Sequence, residues 1–378
     1  MLQDGMVTAL GTMSGTSLDG VDAAVLITDG LTIGGFGPKD YRPYRDEERI
    51  VLRQHLGCWP DDDVSAAANV IEAAHIAVMR PFEAVDIAGF HGQTLAHDPG
   101  GRGTHQCGDG MRIATALGVP VAWDFRSHDV AQGGQGAPLA PFYHFALAKW
   151  LQAEAPVAFL NLGGVGNLTF IDPSYDDPAA PGALLAFDTG PANAPIDDVM
   201  QARLGLAYDA DGTLAAAGRV DEGVIQTFMD HPYFADAPPK SLDRDAFAGL
   251  GQAVEGYADP DAVATLTQAV VASVAHAVLQ CPSVPSQVLV TGGGRRNATL
   301  MAGLAKQLDS LVRPVESVGL DGDMLEAQAF AFLAVRSAKS LPLSAPGTTG
   351  VAESVSGGRI ADPQNSITIK PLLGAINR

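Results

Sequence analysis

The sequence has few cysteines, and their spacing excludes a disulfide-stabilised fold. Only three occur in 378 residues, at Cys58, Cys107 and Cys281, an odd and widely separated set that fits a reducing compartment. The near pairs formed by Cys58 with His55 and by Cys107 with His105 belong to no CxxC or HExxH pattern. Ordinary packing is therefore favoured over zinc binding at these positions.

Basic residues and long apolar runs are also scarce. The 23 Lys and Arg against 43 Asp and Glu give a net charge of −20, which repels phosphate backbones and anionic lipids. Thr265, Ser273 and His276 interrupt the most apolar stretch, 262–279, so no uninterrupted run reaches the roughly 18 residues of a membrane span. No basic segment leads into an apolar one near Met1. We expect a cytoplasmic protein that binds neither nucleic acid nor membranes.

Hydrophobic residues are abundant, as in a folded globular protein. Hydrophobic residues make up 47% and charged residues 17% of the chain, as in a globular core. At a typical ~100–200 residues per domain, this length predicts two domains, which we place at 1–154 and 155–378. We leave open whether the last helix packs back onto the first domain. Buried strands such as 85–90 and 119–123 alternate with helical patterns, which indicates the α/β class.

Apolar periodicity of about 3.6 residues marks the predicted helices. They are expected at about 62–80, 142–154, 194–203, 223–230, 261–279, 298–308 and 325–339.

Glycine is concentrated in loops between apolar strands. The first is strand 7–10, loop 11–20 and strand 21–27; the second is strand 157–160, loop 161–167 and strand 168–171; a third loop covers 292–294. Two such units suggest an internal duplication. Glycine lets backbone N–H groups approach an anion, so these loops suit nucleotide phosphates better than plain tight turns. No GxxxxGK[ST] motif occurs, so the site is not the usual P-loop.

Seven ordered motifs resemble those of the anhydro-N-acetylmuramic acid kinase family, over about residues 8–350. They are MSGTSLDGVD at 13–22, HGQT at 91–94, DFR at 124–126 with Asp129, GGQGAPL at 133–139, NLGG at 161–164, FDTGP at 187–191, and GGG at 292–294 with Asn297. The resemblance implies a two-lobed actin-like ATPase (sugar kinase) fold with duplicated mixed-sheet domains and a central cleft. It further implies an enzyme of peptidoglycan recycling that uses ATP and water to convert 1,6-anhydro-N-acetylmuramic acid to N-acetylmuramic acid 6-phosphate.

Such a reaction needs a base that takes a proton from water as it attacks the anomeric carbon. Asp188 is the first candidate, because it ends the apolar strand 183–187 and is followed by a Thr-Gly-Pro turn. The resemblance assigns the same position. A turn-capping aspartate is the alternative, and Asp129 and Glu326 are the next candidates for the base.

The resemblance also assigns binding roles. Phosphate contacts fall on Ser14, Gly15, Thr16, Gly163 and Gly164, and further cofactor contacts on Gly11, Ser17, Gly20 and Gly190. Adenosine contacts fall on Gly293, Gly294 and Asn297, Mg²⁺ on Asp19, and sugar contacts on Gln93, Thr94, Arg126, Asp129 and Glu326. Arg126 is the expected partner of the lactyl carboxylate. For His91, a structural hydrogen bond and a ligand contact remain equally open.

Two other functions remain open at this stage. A kinase for another sugar or small acid would use Asp188 to deprotonate a hydroxyl, and a nucleotide-driven switch on the same fold would bind ATP without a small substrate. The expected partners are ATP with Mg²⁺ and a small amino sugar, and a homodimer is left open. Ser127 and His128 stand where many relatives carry arginines.

Overall fold

A computed structural model describes residues 5–242 and 246–369 of the chain. Its residues form two compact units. Unit 1 contains the described residues within Met1–Trp150 and Met324–Arg378, and unit 2 contains those within Leu151–Asp323.

The strands follow the apolar runs of the sequence. They are β1 (Val7–Met13), β2 (Gly20–Thr28), β3 (Ile33–Pro43), β4 (Ile87–Phe90), β5 (Gln93–Asp98), β6 (Gly103–Cys107), β7 (Val121–Trp123), β8 (Val157–Leu162), β9 (Val165–Ile171), β10 (Leu184–Pro191), β11 (Gln287–Thr291), β12 (Leu311–Pro314), β13 (Pro342–Ser344), β14 (Val355–Ser356), β15 (Arg359–Asp362) and β16 (Asn365–Ile369).

The helices connect these strands. They are α1 (Asp46–Gln54), α2 (Ser65–Met79), α3 (Gly110–Leu117), α4 (Ser127–Ala131), α5 (Pro141–Trp150), α6 (Asn193–Leu204), α7 (Thr213–Ala217), α8 (Glu222–Met229), α9 (Gly249–Ala253), α10 (Asp259–Leu279), α11 (Ala298–Gln307), α12 (Leu325–Ala338) and α13 (Pro346–Thr349). Every helix that the periodicity predicted is confirmed within a few residues. The helices that it did not predict are α1, α3, α4, α7, α9 and α13.

Unit 1 is built on a mixed sheet of seven strands in the order β16-β15-β7-β4-β1-β2-β3. Strands β1, β2 and β3 form antiparallel pairs, whereas β4 pairs parallel with both β1 and β7. Helix α12 packs on β1, β2 and β4.

Unit 2 repeats this topology. Its five strands lie in the order β10-β9-β8-β11-β12, with antiparallel β8-β9-β10 pairs and parallel β8-β11-β12 pairs. The order matches β3-β2-β1-β4-β7 of unit 1 strand for strand. The α/β class and the duplicated mixed sheets are therefore confirmed.

Helix α10 is the centre of the unit 2 core. Its 21 residues are long and apolar enough to cross a membrane by length and composition, but 72% of its most apolar window is buried inside the protein. Val263, Leu266, Val270 and Val274 are fully buried in the unit 2 cluster. The apolar character of α10 is thus explained by packing.

The units differ from the predicted division 1–154 and 155–378. The first break follows Trp150, close to the predicted one, but residues from Met324 onward belong to unit 1. The reason is that α12 packs on the first sheet and that β15 pairs antiparallel with β7. The segments 1–4, 243–245 and 370–378 of the predicted ranges lie outside the described residues.

Candidate active site

The first glycine-rich turn, Ser14–Asp19, joins β1 to β2 and is hydrogen-bonded to a buried glutamine, Gln93. Ser14 Oγ donates to Gln93 Oε1 at 2.6 Å, and Gln93 Nε2 donates to the Gly15 carbonyl at 3.1 Å. A Cβ added at Gly15 would meet nothing nearer than Ser17 Oγ at 3.6 Å. The backbone of Gly15 is therefore open to an anion, whereas Gln93, with 0% of its side chain exposed, supports the turn from the interior. The sugar contact predicted for Gln93 is not supported by this burial.

Two glycines predicted in this turn lie in strands instead. Gly11 is inside β1, where a Cβ would lie 2.0 Å from the Ala327 carbonyl oxygen of α12. Gly20 begins β2, where a Cβ would lie 2.4 Å from the Arg42 carbonyl oxygen. Close packing of backbone explains both glycines, and neither lies in the turn.

The second turn, Gly163 and Gly164, joins β8 to β9 and is tied to the start of α6. The Gly163 carbonyl accepts from Asn193 N at 2.8 Å, and the Gly164 carbonyl accepts from Ala192 N at 2.9 Å. A Cβ on Gly163 would meet only Val165 O, at 3.7 Å. This turn is therefore as open to an anion as the one at Gly15.

The third glycine cluster has a different local role. A Cβ on Gly294 would come within 2.6 Å of Leu162 Cβ, so this glycine permits close packing. Asn297 is buried and caps α11 by accepting from Leu300 N at 2.9 Å. Gly293 has more room, since its nearest neighbour would be Asn193 Nδ2 at 3.4 Å. Adenosine contacts at this cluster remain a prediction.

Asp188 lies near the end of β10, as the sequence predicts, and its carboxylate accepts two hydrogen bonds. Asn167 Nδ2 donates to Oδ1 at 2.9 Å, and Leu242 N donates to Oδ2 at 2.8 Å. Burial raises the pKa of this carboxyl to about 6, against the lowering effect of those two bonds. A pKa near 6 leaves Asp188 ionised at neutral pH and basic enough to accept a proton.

Arg126 is a partly buried cation of unit 1. Its Nη1 donates to the Gly136 carbonyl at 2.9 Å, and its Nη2 donates to His91 Nε2 at 3.2 Å. Because that nitrogen accepts, the His91 proton is on Nδ1, which donates to the Gly92 carbonyl at 2.9 Å. Burial and the Arg126 charge lower the pKa of His91 well below its usual value. His91 is thus a neutral, structural partner of Arg126.

These two bonds do not use all the N–H donors of Arg126. Its Nε is buried and has no hydrogen-bond partner among the described residues. Burial lowers the pKa of Arg126, and the charge of Glu326 opposes that shift. A cation with an unused donor is suited to a bound carboxylate.

Glu326 lies in the first turn of α12 and is exposed. Desolvation by the surrounding protein raises its pKa, and the Arg126 charge acts in the opposite direction. These two charges therefore belong to one electrostatic group within unit 1.

Asp129 has a structural environment. It is 2% exposed; its Oδ1 accepts from Gly136 N at 2.6 Å, and its Oδ2 accepts from Ser344 Oγ and from Thr349 Oγ1. These bonds join the GGQGAPL segment to the 344–349 segment. Burial and three protein donors argue against the predicted substrate contact and against a role as the base.

The remaining predicted residues surround these groups. Thr16, Ser17 and Asp19 are exposed on the first turn, and Thr94 Oγ1 accepts from Gln106 Nε2 at 3.2 Å. Gly190 has a φ of +147°, and a Cβ there would lie 2.8 Å from Ser273 Cβ, so packing on α10 requires glycine. In the part of the chain that is described, no three His, Cys, Asp or Glu side chains form a metal cage.

Three residues that contact Asp188 were not predicted from the sequence. Asn167 faces it across the sheet, Tyr233 Oη donates to its carbonyl, and the Lys240 carbonyl accepts from its N–H at 3.0 Å. Asn167 sits at the end of a motif that the sequence marked only as a phosphate loop. Tyr233 and Lys240 are 45 and more positions away in the chain, and no local pattern connects them with Asp188.

Comparison with known proteins agrees with the motifs. The family model for anhydro-N-acetylmuramic acid kinase matches residues 7–363. The anhydro-N-acetylmuramic acid kinase of Cereibacter sphaeroides is 61% identical over 98% of this chain and 100% of its own length. That of Roseobacter denitrificans is 59% identical over 95% of both chains. Among solved structures, a ROK family glucokinase from Streptomyces griseus in complex with glucose and AMPPNP matches 86% of this chain and 99% of its own, with a TM-score of 0.43 and 13% identity. From the match along nearly its whole length and the identity to these relatives, the chain belongs to the anhydro-N-acetylmuramic acid kinase family.

Proposed function

We propose that this protein is a cytoplasmic, ATP-dependent kinase that opens 1,6-anhydro-N-acetylmuramic acid with water and phosphorylates O6. Membership of the family supports the substrate, since the relatives named above carry that activity in their names. The observation that carries the mechanism is the buried Asp188 carboxylate, whose pKa of about 6 suits a general base at neutral pH.

Asp188 would accept a proton from the attacking water. As the new C1–O bond forms, the C1–O6 bond of the anhydro bridge breaks, and O6 takes the γ-phosphoryl group of ATP, with ADP as the leaving group. The products are N-acetylmuramic acid 6-phosphate and ADP. Neither of the other two carboxylates matches Asp188 for this task, because buried Asp129 already accepts three hydrogen bonds from protein donors and the charge of Glu326 interacts with that of Arg126.

Each of the two open turns is, by itself, suited to a phosphate group. Gly15 in unit 1 and Gly163 in unit 2 each leave space above the backbone where a Cβ would otherwise stand. An anion can approach N–H groups closely at such positions. Thr16 and Ser17 add exposed hydroxyl groups on the first turn, whereas the predicted Ser14 hydroxyl is buried against Gln93 and Tyr44.

The exposed carboxylate of Asp19 fits the donor set of Mg²⁺, which binds one or two carboxylates together with phosphate oxygens and waters. When bound, Mg²⁺ would neutralise charge on the phosphates. The Asp19 backbone is fixed independently of any ion, since its carbonyl accepts from Tyr44 N at 2.9 Å and from Tyr41 Oη at 3.0 Å.

Arg126 would bind the lactyl carboxylate of the sugar. Its unused Nε donor and its orientation by His91 and Gly136 support this role. Glu326, at the start of α12, would contact sugar hydroxyl groups near the same arginine.

Turnover in ¹⁸O-labelled water tests the chemistry. We expect label at C1 and none in the bridging ester oxygen, because that oxygen comes from the anhydro bridge. Label in the ester oxygen would exclude the coupled opening. Turnover of ordinary reducing sugars in preference to the anhydro sugar, or ATP hydrolysis that does not depend on it, would instead indicate one of the two other functions.

Asp188→Asn tests the base. The amide is nearly isosteric, so ATP affinity should persist, whereas turnover should fall roughly 10²–10⁴-fold because the amide cannot accept the proton. Asp129→Asn provides the comparison: we expect it to lower thermal stability through the lost bonds of the 344–349 segment. Near-normal turnover of Asp188→Asn would move the role of base to another group.

A further inference from the structure

The contact between Asn167 and Asp188 is built into the register of the sheet. The two residues are direct partners in the antiparallel β9-β10 pair, and the pairing shifts just after Asp188. Side chains directly opposite each other in such a pair project to the same face and lie about 4.5–5.5 Å apart at Cβ. The Asn167 amide therefore reaches Asp188 Oδ1, at 2.9 Å, without any adjustment of the backbone.

The other side of Asp188 is held by the segment 233–242. Leu242 N donates to Oδ2 at 2.8 Å, the Lys240 carbonyl accepts from Asp188 N at 3.0 Å, and Tyr233 Oη donates to the Asp188 carbonyl. Lys240 closes this segment on itself, because its ammonium donates to the carbonyls of Tyr233 and Asp236, each at 2.9 Å. Asp188 is thus fixed through both its main chain and its carboxylate.

We propose that Asn167 is a positioning residue for the reaction, which orients the Asp188 carboxylate and keeps it charged so that its remaining lone pairs accept the proton of water. A carboxylate offers about four acceptor positions, and the two contacts described above occupy two of them. The inference rests on the proposed function, in which Asp188 is the base.

Asn167 is the side chain near Asp188 that is placed to keep the Asp188 carboxylate charged. Among the residues that the structure describes, the charged or titratable groups near this part of unit 2 are Tyr233, Asp236 and Lys240 from the segment 233–242 and His276 from α10, which bonds to the Phe234 carbonyl. The Lys240 ammonium is directed to backbone carbonyls. Burial raises the pKa of Asp188, and the donors that lower it are the Asn167 side chain and the Leu242 amide. Of the described residues, Asn167 is therefore the side chain whose replacement alters the charge state of Asp188 without touching the backbone.

Asn167→Leu removes the donor and keeps the same branching and number of side-chain heavy atoms. A hydrogen bond to a charged group is strong enough to move a pKa by about 1 or more, so we expect the Asp188 pKa to rise by about that amount. The acid limb of the kcat/KM profile should move to higher pH by the same amount. From a wild-type pKa of about 6, the ionised fraction of Asp188, and with it kcat/KM, should then be about tenfold lower at pH 5 and about twofold lower at pH 7. KM for ATP should stay within about twofold of the wild type. Asn69→Leu, at an exposed asparagine of unit 1, is the matched control and should change neither the Asp188 pKa nor the pH profile of kcat/KM.

The Asp188 pKa can be followed without turnover. In protein labelled with ¹³C at aspartate Cγ, the Asp188 signal is assigned by its absence in Asp188→Asn, and its titration is compared between the wild type and Asn167→Leu. If Asn167→Leu fails to fold, the isosteric Asn167→Asp serves instead. It places two carboxylates side by side, and the pair should titrate with an upper apparent pKa above that of wild-type Asp188.

The outcomes separate the two proposals. An unchanged Asp188 titration in a folded Asn167 variant overturns the positioning role, whatever the activity. A wild-type protein that does not act on the anhydro sugar overturns the proposed function, while the titration still decides the role of Asn167.

Discussion

Gly11→Ala is expected to destabilise unit 1 rather than to weaken nucleotide binding. Gly11 and Gly89 are direct partners in the parallel β1-β4 pair. Because neither has a side chain, the backbone of α12 packs directly against both. An added Cβ at Gly11 would lie 2.0 Å from the Ala327 carbonyl oxygen and 2.2 Å from Ala331 N. Both are backbone atoms, so no side-chain rotation relieves the clash.

The size of the effect follows from these distances. Ordinary van der Waals contact begins at about 3.4 Å, so the helix and the strand must separate by more than about 1 Å. Overpacking of this kind costs about 1–3 kcal/mol, and the upper part of that range applies because α12 also contacts β2 and β4. At ~2–4 °C per kcal/mol for a unit of this size, we expect Tm to fall by roughly 5–10 °C.

Gly15→Ala is the matched control. It lies on the same strand-turn-strand unit, but its Cβ would meet only Ser17 Oγ, at 3.6 Å. We expect its unfolding free energy to stay within about 0.5 kcal/mol of the wild type, with weaker ATP binding because the methyl group covers an open backbone.

Urea unfolding followed by circular dichroism, together with calorimetric titration of ATP, separates the two glycines. Gly89→Ala should resemble Gly11→Ala, and the double variant should cost less than the sum, since the helix is displaced only once. A Gly11→Ala protein of wild-type stability that binds ATP poorly would refute the packing argument and return Gly11 to the phosphate site.

Three further predictions concern charge and pH. With an Asp188 pKa of about 6, kcat/KM for the anhydro sugar should fall about tenfold per pH unit below pH 6 and level off above it; a plateau that extends to pH 4.5 would contradict the assignment. Arg126→Ala should raise KM for the sugar about 10–150-fold, as expected for a charged hydrogen bond of ~1.5–3 kcal/mol, and leave KM for ATP nearly unchanged; an equal loss for both substrates would indicate a structural arginine. Burial lowers the pKa of His75 to about 4. As pH falls, His75 is therefore protonated in the unfolded chain before it is protonated in the folded protein. The free energy of unfolding should drop by up to about 3 kcal/mol between about pH 6.5 and pH 4. Urea unfolding of His75→Leu over that range should show a shallower loss than the wild type, and identical slopes would exclude His75.

Local patterns were enough to predict the elements and the first carboxylate. Helical periodicity located α2, α5, α6 and α10 within a few residues, because an apolar face must repeat every 3.6 residues whatever it packs against. The two strand-turn-strand units predicted the duplication that the matching sheet orders confirm. Asp188 was recognisable because it ends an apolar strand, a property of its immediate neighbours alone.

The tertiary structure alone decided the roles of those residues whose partners are distant in the chain. The sequence placed Gly11 with Gly15 in one loop, and only the approach of α12, more than 300 positions later in the chain, distinguishes a packing glycine from an open one. Gln93 and Asp129 look like ligand contacts as motif members, yet each is buried against protein groups that the chain brings back from elsewhere. Asn167 became a partner of Asp188 through strand register, which a pattern of residue types leaves undetermined because a shift by one residue would turn its side chain to the other face.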